Sequence, residues 1–322
     1  MIRDPRWQAA LLQLVVVAAV VALGAYLVHN TLVNMARAGI ATGFGYLGRE
    51  AAFEIGEKLI AYTPADSYAR ALLVGVLNTL LVAVLGIVLA TALGTAIGIA
   101  RLARNWLLRK LALCYVEALR NVPLLLQLIV WWDLLRVSAP PPREAWQPLP
   151  GVFVSVRGIA FPVPHLSPLG WDWPHLNAFN FTGGASLSPE FAALLFGLTA
   201  YTAAFIAEIV RSGIEGVSRG QSEAAAALGL RRGQALRLVI LPQALRIIVP
   251  PMLNEYLALT KNSSLAIAVG YPELMSITNT TLNQTGQAVE AITIMMAIYL
   301  AISLSTSLAM NWYNRRIAYV HG

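Results

Sequence analysis

Of 322 residues, 57% are hydrophobic and only 12% charged, and the mean hydropathy is +0.64; that balance excludes a soluble globular domain and points to a multispanning membrane protein. The net charge of +7 is carried mainly by arginine, since Lys58, Lys110 and Lys261 are the only lysines. The single cysteine, Cys114, excludes an internal disulfide and a thiolate-rich metal cluster, and the scattered His29, His165, His175 and His321 offer no metal-ligand spacing.

The first predicted element runs from Ala9 to Val28, interrupted only by Gln13. At about 1.5 Å per residue it covers roughly 30 Å of hydrocarbon, one complete span. Arg3, Arg6 and the Ala36-Arg37-Ala38 triplet also suit a cleaved signal, but the apolar core exceeds the about 7 to 15 residues usual for one. Residues 30–68 follow as an external segment, part helical and lying along the surface. The second span, 71–100, carries Gly86, Ala90, Gly94 and Gly98 at intervals of four, a face of small residues only. Such a face brings another helix close, either within this chain or in another subunit.

Apolar runs at 111–135, 190–210, 240–259 and 288–312 bring the predicted spans to six. Glu117 with Arg120, and Glu208 with Arg211, sit a turn apart near span ends, where pairing or snorkelling accounts for them. Between Arg136 and Ser188 lie nine of the seventeen prolines, interspersed with Trp146, Trp171, Trp173 and Phe181. This reads as an ordered external insertion, with a short strand at Val152-Phe153-Val154-Ser155-Val156 by its alternation. With both termini cytoplasmic, the inside segments hold 13 Lys and Arg in 55 residues against 8 in 123 outside. The positive-inside rule selects that orientation, and with it a membrane rather than a nucleic-acid reading of the basic charge.

No lysine follows a glycine, so the phosphate-cradling G-x-x-x-x-G-K-[ST] loop is absent. If ATP drives this protein, a separate subunit binds it. The informative segment is cytoplasmic, Ser218-Arg219-Gly220-Gln221-Ser222-Glu223-Ala224-Ala225-Ala226-Ala227-Leu228-Gly229. Ser218 with Gln221 reads as a capping box, and Gly229 suits the left-handed position that ends a helix. The predicted helix of about ten residues is roughly 15 Å long. Its alanines leave the backbone unshielded and Glu223 adds one fixed charge, a surface suited to docking into a groove.

Glu223-Ala224-Ala225, three residues, Gly229, nine residues, Val239, one residue, Leu241-Pro242 resembles the EAA signature of the membrane subunits of bacterial ABC importers, with Val239 in place of the usual isoleucine. The stretches 118–127 and 201–214 resemble the polar amino acid branch of that family, the relatives of histidine and glutamine permeases. Residues 259–272 and 282–287 look closer still to the general L-amino acid permeases, of the glutamate/glutamine/aspartate/asparagine type. The resemblance covers about 70–316. It implies an all-α integral membrane protein, a type I ABC importer transmembrane subunit of about six spans in a bacterial cell inner membrane. It also implies that Glu223, Ala224, Ala225 and Gly229 form the coupling helix that inserts into an ATPase subunit.

The implied partners are two ATP-binding cassette ATPase subunits, a related second permease subunit or a second copy of this chain, a periplasmic amino acid-binding protein and the lipid bilayer. The chain itself is then non-catalytic, with no cofactor and no metal, and moves polar L-amino acids by alternating access. It divides into 1–68, a first helix plus external segment, 69–316, the transmembrane domain with its insertion at 136–188 and coupling segment at 214–238, and the tail 317–322. An ion-coupled secondary transporter is the rival reading, but the sequence holds no second copy of the EAA segment, as internal repeats would require. For the pathway, Pro250-Pro251 is predicted to interrupt the helix, leaving Asn254, Glu255 and Asn262 near the substrate.

Overall fold

The computed structural model describes residues 5–39, 41–166 and 169–319, mostly as helix. The chain opens with α1 (Pro5–Arg37), α2 (Tyr68–Ala100), α3 (Trp106–Asn121) and α4 (Leu124–Arg136). Eight short strands follow, β1 (Trp146–Leu149), β2 (Val152–Ser155), β3 (Gly158–Phe161), β4 (Val163–Leu166), β5 (Leu169–Asp172), β6 (His175–Asn177), β7 (Asn180–Thr182) and β8 (Ala185–Leu187). The chain then continues through α5 (Pro189–Glu215), α6 (Arg219–Ala227), α7 (Arg232–Ala235), α8 (Leu241–Asn262), α9 (Leu274–Thr285) and α10 (Ala288–Tyr319). Among the described residues, five helical stretches are long and apolar enough to cross a membrane, or six if the bent pair α3–α4 counts as one span.

The core forms around α5, the most enclosed of these stretches, with 67% of its apolar window buried. Ser188 caps it, accepting from the Phe191 amide at 3.0 Å, and Pro189 opens its first turn, where a missing N–H is harmless. The small face of α2 packs inside the chain. A Cβ on Gly94 would stand 2.7 Å from Ile206 Cβ and 2.8 Å from the Ala203 carbonyl, and one on Gly98 2.7 Å from the Ala207 carbonyl, while Gly86 faces Leu259 of α8. Of the two possibilities open at the sequence level, the internal partner is the one realised. By contrast, no part of the apolar window of α1 is buried within the chain.

The segment 41–67 is tied down rather than draped over the surface. The Gln287 side chain donates to the Ala41 and Gly43 carbonyls at 3.2 and 3.0 Å, the Gly43 amide donates to Glu290 at 2.7 Å, and Tyr68 donates to Gln284 at 2.9 Å. Its own Tyr46, Ile55 and Tyr62 are buried, against the start of α2 and against α9.

Two expectations about broken helices need correction. The predicted third span, 111–135, is not straight: α3 and α4 meet at 105°. Val122, ahead of Pro123, is extended at φ −101°, ψ 128°, as the proline ring demands of its predecessor. Gln127 then reaches back and donates to the Leu119 and Val122 carbonyls at 2.8 and 2.9 Å, satisfying acceptors that the break orphans. Conversely, Pro250 and Pro251 do not interrupt α8, which runs unbroken from Leu241 to Asn262. They remove two backbone donors, yet α8 lies against both α5 and α10, and neighbouring helices hold a proline-bearing span on its path. The break comes later, in the 3₁₀ turn Ser263–Ala268 and at Gly270, whose φ is +80°.

The insertion is richer than its one predicted strand, which β2 realises. Strands β1-β2-β3-β8 form an antiparallel sheet, and β4-β5 and β6-β7 form two further hairpins. Phe153 stacks on Phe181 with ring centroids 4.8 Å apart.

Candidate functional site

The helix singled out by its alanines, α6, stands between α5 and α8. Its N-terminus corrects the predicted capping box: Ser218 is the N-cap residue, but its side chain makes no cap bond, and the Gln221 amide donates to the Ser218 carbonyl at 3.0 Å. The Gln221 side chain instead accepts from Gln243, at 3.2 Å, which ties α6 to the first turn of α8. The C-terminus follows the expectation. Gly229 takes φ +76°, its amide donates to Ala226, and the Leu230 amide donates to Ala225 at 3.1 Å, the paired bonds of a Schellman ending.

Of the four residues of the signature, Glu223, Ala224 and Gly229 are exposed and Ala225 is buried. Ala225 therefore faces inward, on the side of α6 that meets α7 and residues 236–240, and the other three face outward. Leu228 beside them is 81% exposed, an apolar side chain left open on the surface. Below α6 the two long helices are in close contact, Gly213 of α5 receiving Ile248 of α8. At the same end Glu208 joins Arg101 of α2 to Arg211, and Arg211 also pairs with Glu215. The sequence reading supplied Glu208 with Arg211; Arg101 is the partner it missed, because α2 and α5 are distant in sequence.

The three pathway candidates are divided by the unbroken course of α8. Glu255 and Asn262, seven residues apart, share a helical face about 10 Å from one another along the axis. Asn254 faces elsewhere, into a groove of about 210 Å³ between α8 and α10 lined by Pro250, Leu257, Thr306, Ser307 and Asn311. Arg120 lies over the Phe205 ring at 4.9 Å, while Glu117 accepts from Asn121 at 3.4 Å. The sequence pairing of Glu117 with Arg120 thus gives way to an aromatic contact.

A polar knot escaped sequence reasoning. Glu273, fully buried, caps α9 by accepting from the Ser276 amide at 2.9 Å, and accepts from Tyr299 at 2.8 Å, with the Thr79 hydroxyl at 3.4 Å. Burial pushes its carboxyl up from the ordinary value despite these donors. The signal available was Glu273 directly after Pro272 and three residues before Ser276, a helix-cap pattern. Among the described residues no group of His, Cys, Asp and Glu could hold a metal ion.

The family described as "Binding-protein-dependent transport system inner membrane component" matches residues 86–319. The chain is 42% identical to the general L-amino acid transport system permease protein AapQ of Rhizobium johnstonii, over 98% of this chain and 94% of that one. It is 43% identical to the putative amino-acid ABC transporter permease protein YhdX of Escherichia coli, over 98% and 96%. These matches extend over α1 and the 41–67 segment as well as the region of the family match. Among solved structures, the crystal structure of an amino acid ABC transporter with histidines aligns at a TM-score of 0.58 and 25% identity, covering 77% of this chain and 95% of that one.

Proposed function

Because the chain belongs to the inner-membrane components of binding-protein-dependent transport systems, we propose that it lines the pathway of an importer for polar L-amino acids in a bacterial inner membrane. Energy reaches it from separate ATPase subunits, which dock on α6. The observation that carries this reading is α6 itself, a helix with its small-residue face, Glu223 and Leu228 uncovered, following α5 in the chain and tied to α8 through Gln221 and Gln243. A subunit that closes against α6 favours one arrangement of the α5–α8 pair over another, and such differential stability is all that a partner needs to shift populations. The amino acid class rests on the names of the relatives, both amino acid permeases. A second permease subunit, or a second copy, completes the pathway, and an external binding protein delivers substrate. Both termini and α6 face the cytoplasm, in line with the basic charge of those segments.

Within the pathway, Glu255 and Asn262 share the face of α8 that takes the substrate's ammonium and polar groups, and Asn254 contributes through the α8–α10 groove. The test is ATP-driven uptake in proteoliposomes holding the full assembly. Glu223→Ala leaves the chain folded and lowers uptake or releases the ATPase subunits, whereas Glu255→Gln lowers uptake with the ATPase subunits still attached. Unchanged coupled uptake in Glu223→Ala overturns the docking role, and unchanged uptake in Glu255→Gln removes that residue from the pathway.

A further inference from the structure

Where α2 ends, α3 begins and α5 ends, a pocket of about 300 Å³ is walled by Arg101, Arg109, Lys110 and Arg211, with Glu215 and Trp106 at its sides. Arg101 and Arg211 are held in place by Glu208, and Arg211 by Glu215 as well. Those two carboxylates offset two of the four cations. Arg109 and Lys110 are exposed and form no ion pair among the described residues, so the pocket keeps an uncompensated positive charge.

We propose that this pocket holds the phosphate headgroup of an anionic phospholipid in the cytoplasmic leaflet. The apolar surroundings distinguish a lipid from a soluble anion. Trp106 is 68% exposed, and Leu107 and Leu111 on the same helix are 50% and 59% exposed, immediately beside the cations. Water leaves that surface unsatisfied, while acyl chains cover it and set the tryptophan at headgroup level, where amphipathic rings gather. A cationic pocket between helices with an apolar skirt matches a phosphate joined to two hydrocarbon chains. The pocket shares Arg101 and Arg211 with the ion network at the base of α6. A bound lipid therefore steadies the ends of α2 and α5 next to the docking helix.

The assignment of leaflet rests on the orientation proposed above, but the test does not. The full chain, with its co-purifying subunits, is placed in nanodiscs carrying brominated phosphatidylglycerol or brominated phosphatidylcholine at equal bromine content. Quenching of Trp106 is taken as the difference between the chain and its Trp106→Phe variant. Both leaflets carry the probe, so failure here leaves the orientation standing. Preferential quenching by the anionic lipid is expected, falling about fivefold for each of Arg109→Gln and Lys110→Gln, retained in Arg109→Lys and weakened by salt. Equal quenching by the two lipids overturns the proposal, as does an unchanged preference in the double variant. Loss of the preference when inorganic phosphate replaces chloride at constant ionic strength also overturns it, because the site then takes a soluble anion.

Discussion

Along α2, Gly86, Ala90, Gly94 and Gly98 are buried against α5 and α8, whereas along α6, Ala224, Ala226 and Ala227 stand exposed beside Glu223 and Leu228. The residue chemistry is the same, and only the second surface differs. Apolar surface between helices yields little in lipid, where the surroundings are already apolar, so close backbone approach is what binds α2 to its neighbours. On α6, outside the apolar spans, the same closeness is left for a partner. A small-residue face therefore marks where a backbone will be approached, and the rest of the chain decides whether the approach is internal.

The largest expected effect breaks that comparison with one change made twice. Gly94→Val places atoms where Ile206 and the Ala203 carbonyl already stand, and overpacking a tight contact costs about 3 kcal/mol. Thermal unfolding of the purified chain in detergent should fall sharply or no folded protein should be recovered. Ala224→Val, on the open face, should stay within about 0.7 kcal/mol of the original, the helix-propensity difference alone, and yet lose the ATPase subunits on purification. Equal stability losses at the two positions would show that α6 is packed by its own chain.

A second, smaller effect concerns the elbow between α3 and α4. Gln127→Leu keeps the volume roughly constant but removes the donor shared by the Leu119 and Val122 carbonyls, at about 1 kcal/mol for each hydrogen bond lost at this partly exposed elbow. The midpoint of thermal unfolding should drop by less than in Gly94→Val. Gln127→Glu, which keeps the shape and loses the donors, should drop with it. If both variants match the original, water rather than Gln127 satisfies those carbonyls.

That elbow also shows where sequence reading succeeds and stops. Hydropathy located the spans, and the Gly229 position and the EAA spacing located α6, because these depend on local backbone chemistry and lipid contact. Proline was weighed the wrong way round. Pro250-Pro251 looked like a break and is spanned by one helix, while Pro123 lay inside an apolar run and turns the chain through 105°. The residue is the same, and the outcome depends on what receives the freed groups: Gln127 four residues after Pro123, and the α5 and α10 neighbours of α8. Reading α8 as continuous would have separated Asn254 from Glu255 and Asn262 by helical arithmetic alone. The insertion was under-read because its strands are only three or four residues long and carry prolines, too short for alternation to register.

The smallest effect probes the other buried end of the bundle, where a charge rather than an alanine meets α2. Glu273 has its carboxyl raised above the ordinary 4.5, chiefly by burial, with the Met275 and Ser276 amides, Tyr299 and Thr79 pulling the other way. The native state thus holds this proton to higher pH than the unfolded chain does. Its contribution to stability is complete below the unfolded value and is lost as pH rises through the folded one, at about 1.4 kcal/mol for each pH unit crossed. Glu273→Gln keeps an acceptor for the Ser276 amide, lets the Tyr299 hydroxyl turn to accept, and carries no charge to bury. Its thermal midpoint should fall less steeply than that of the original as pH rises from 4.5. Glu57 is also raised by burial and titrates in the same direction, so the difference between the two curves, not either curve alone, reports Glu273. Parallel curves would mean that the buried carboxyl stays charged throughout, held by its four donors, and that the contact between α9 and α2 is an ionic one after all.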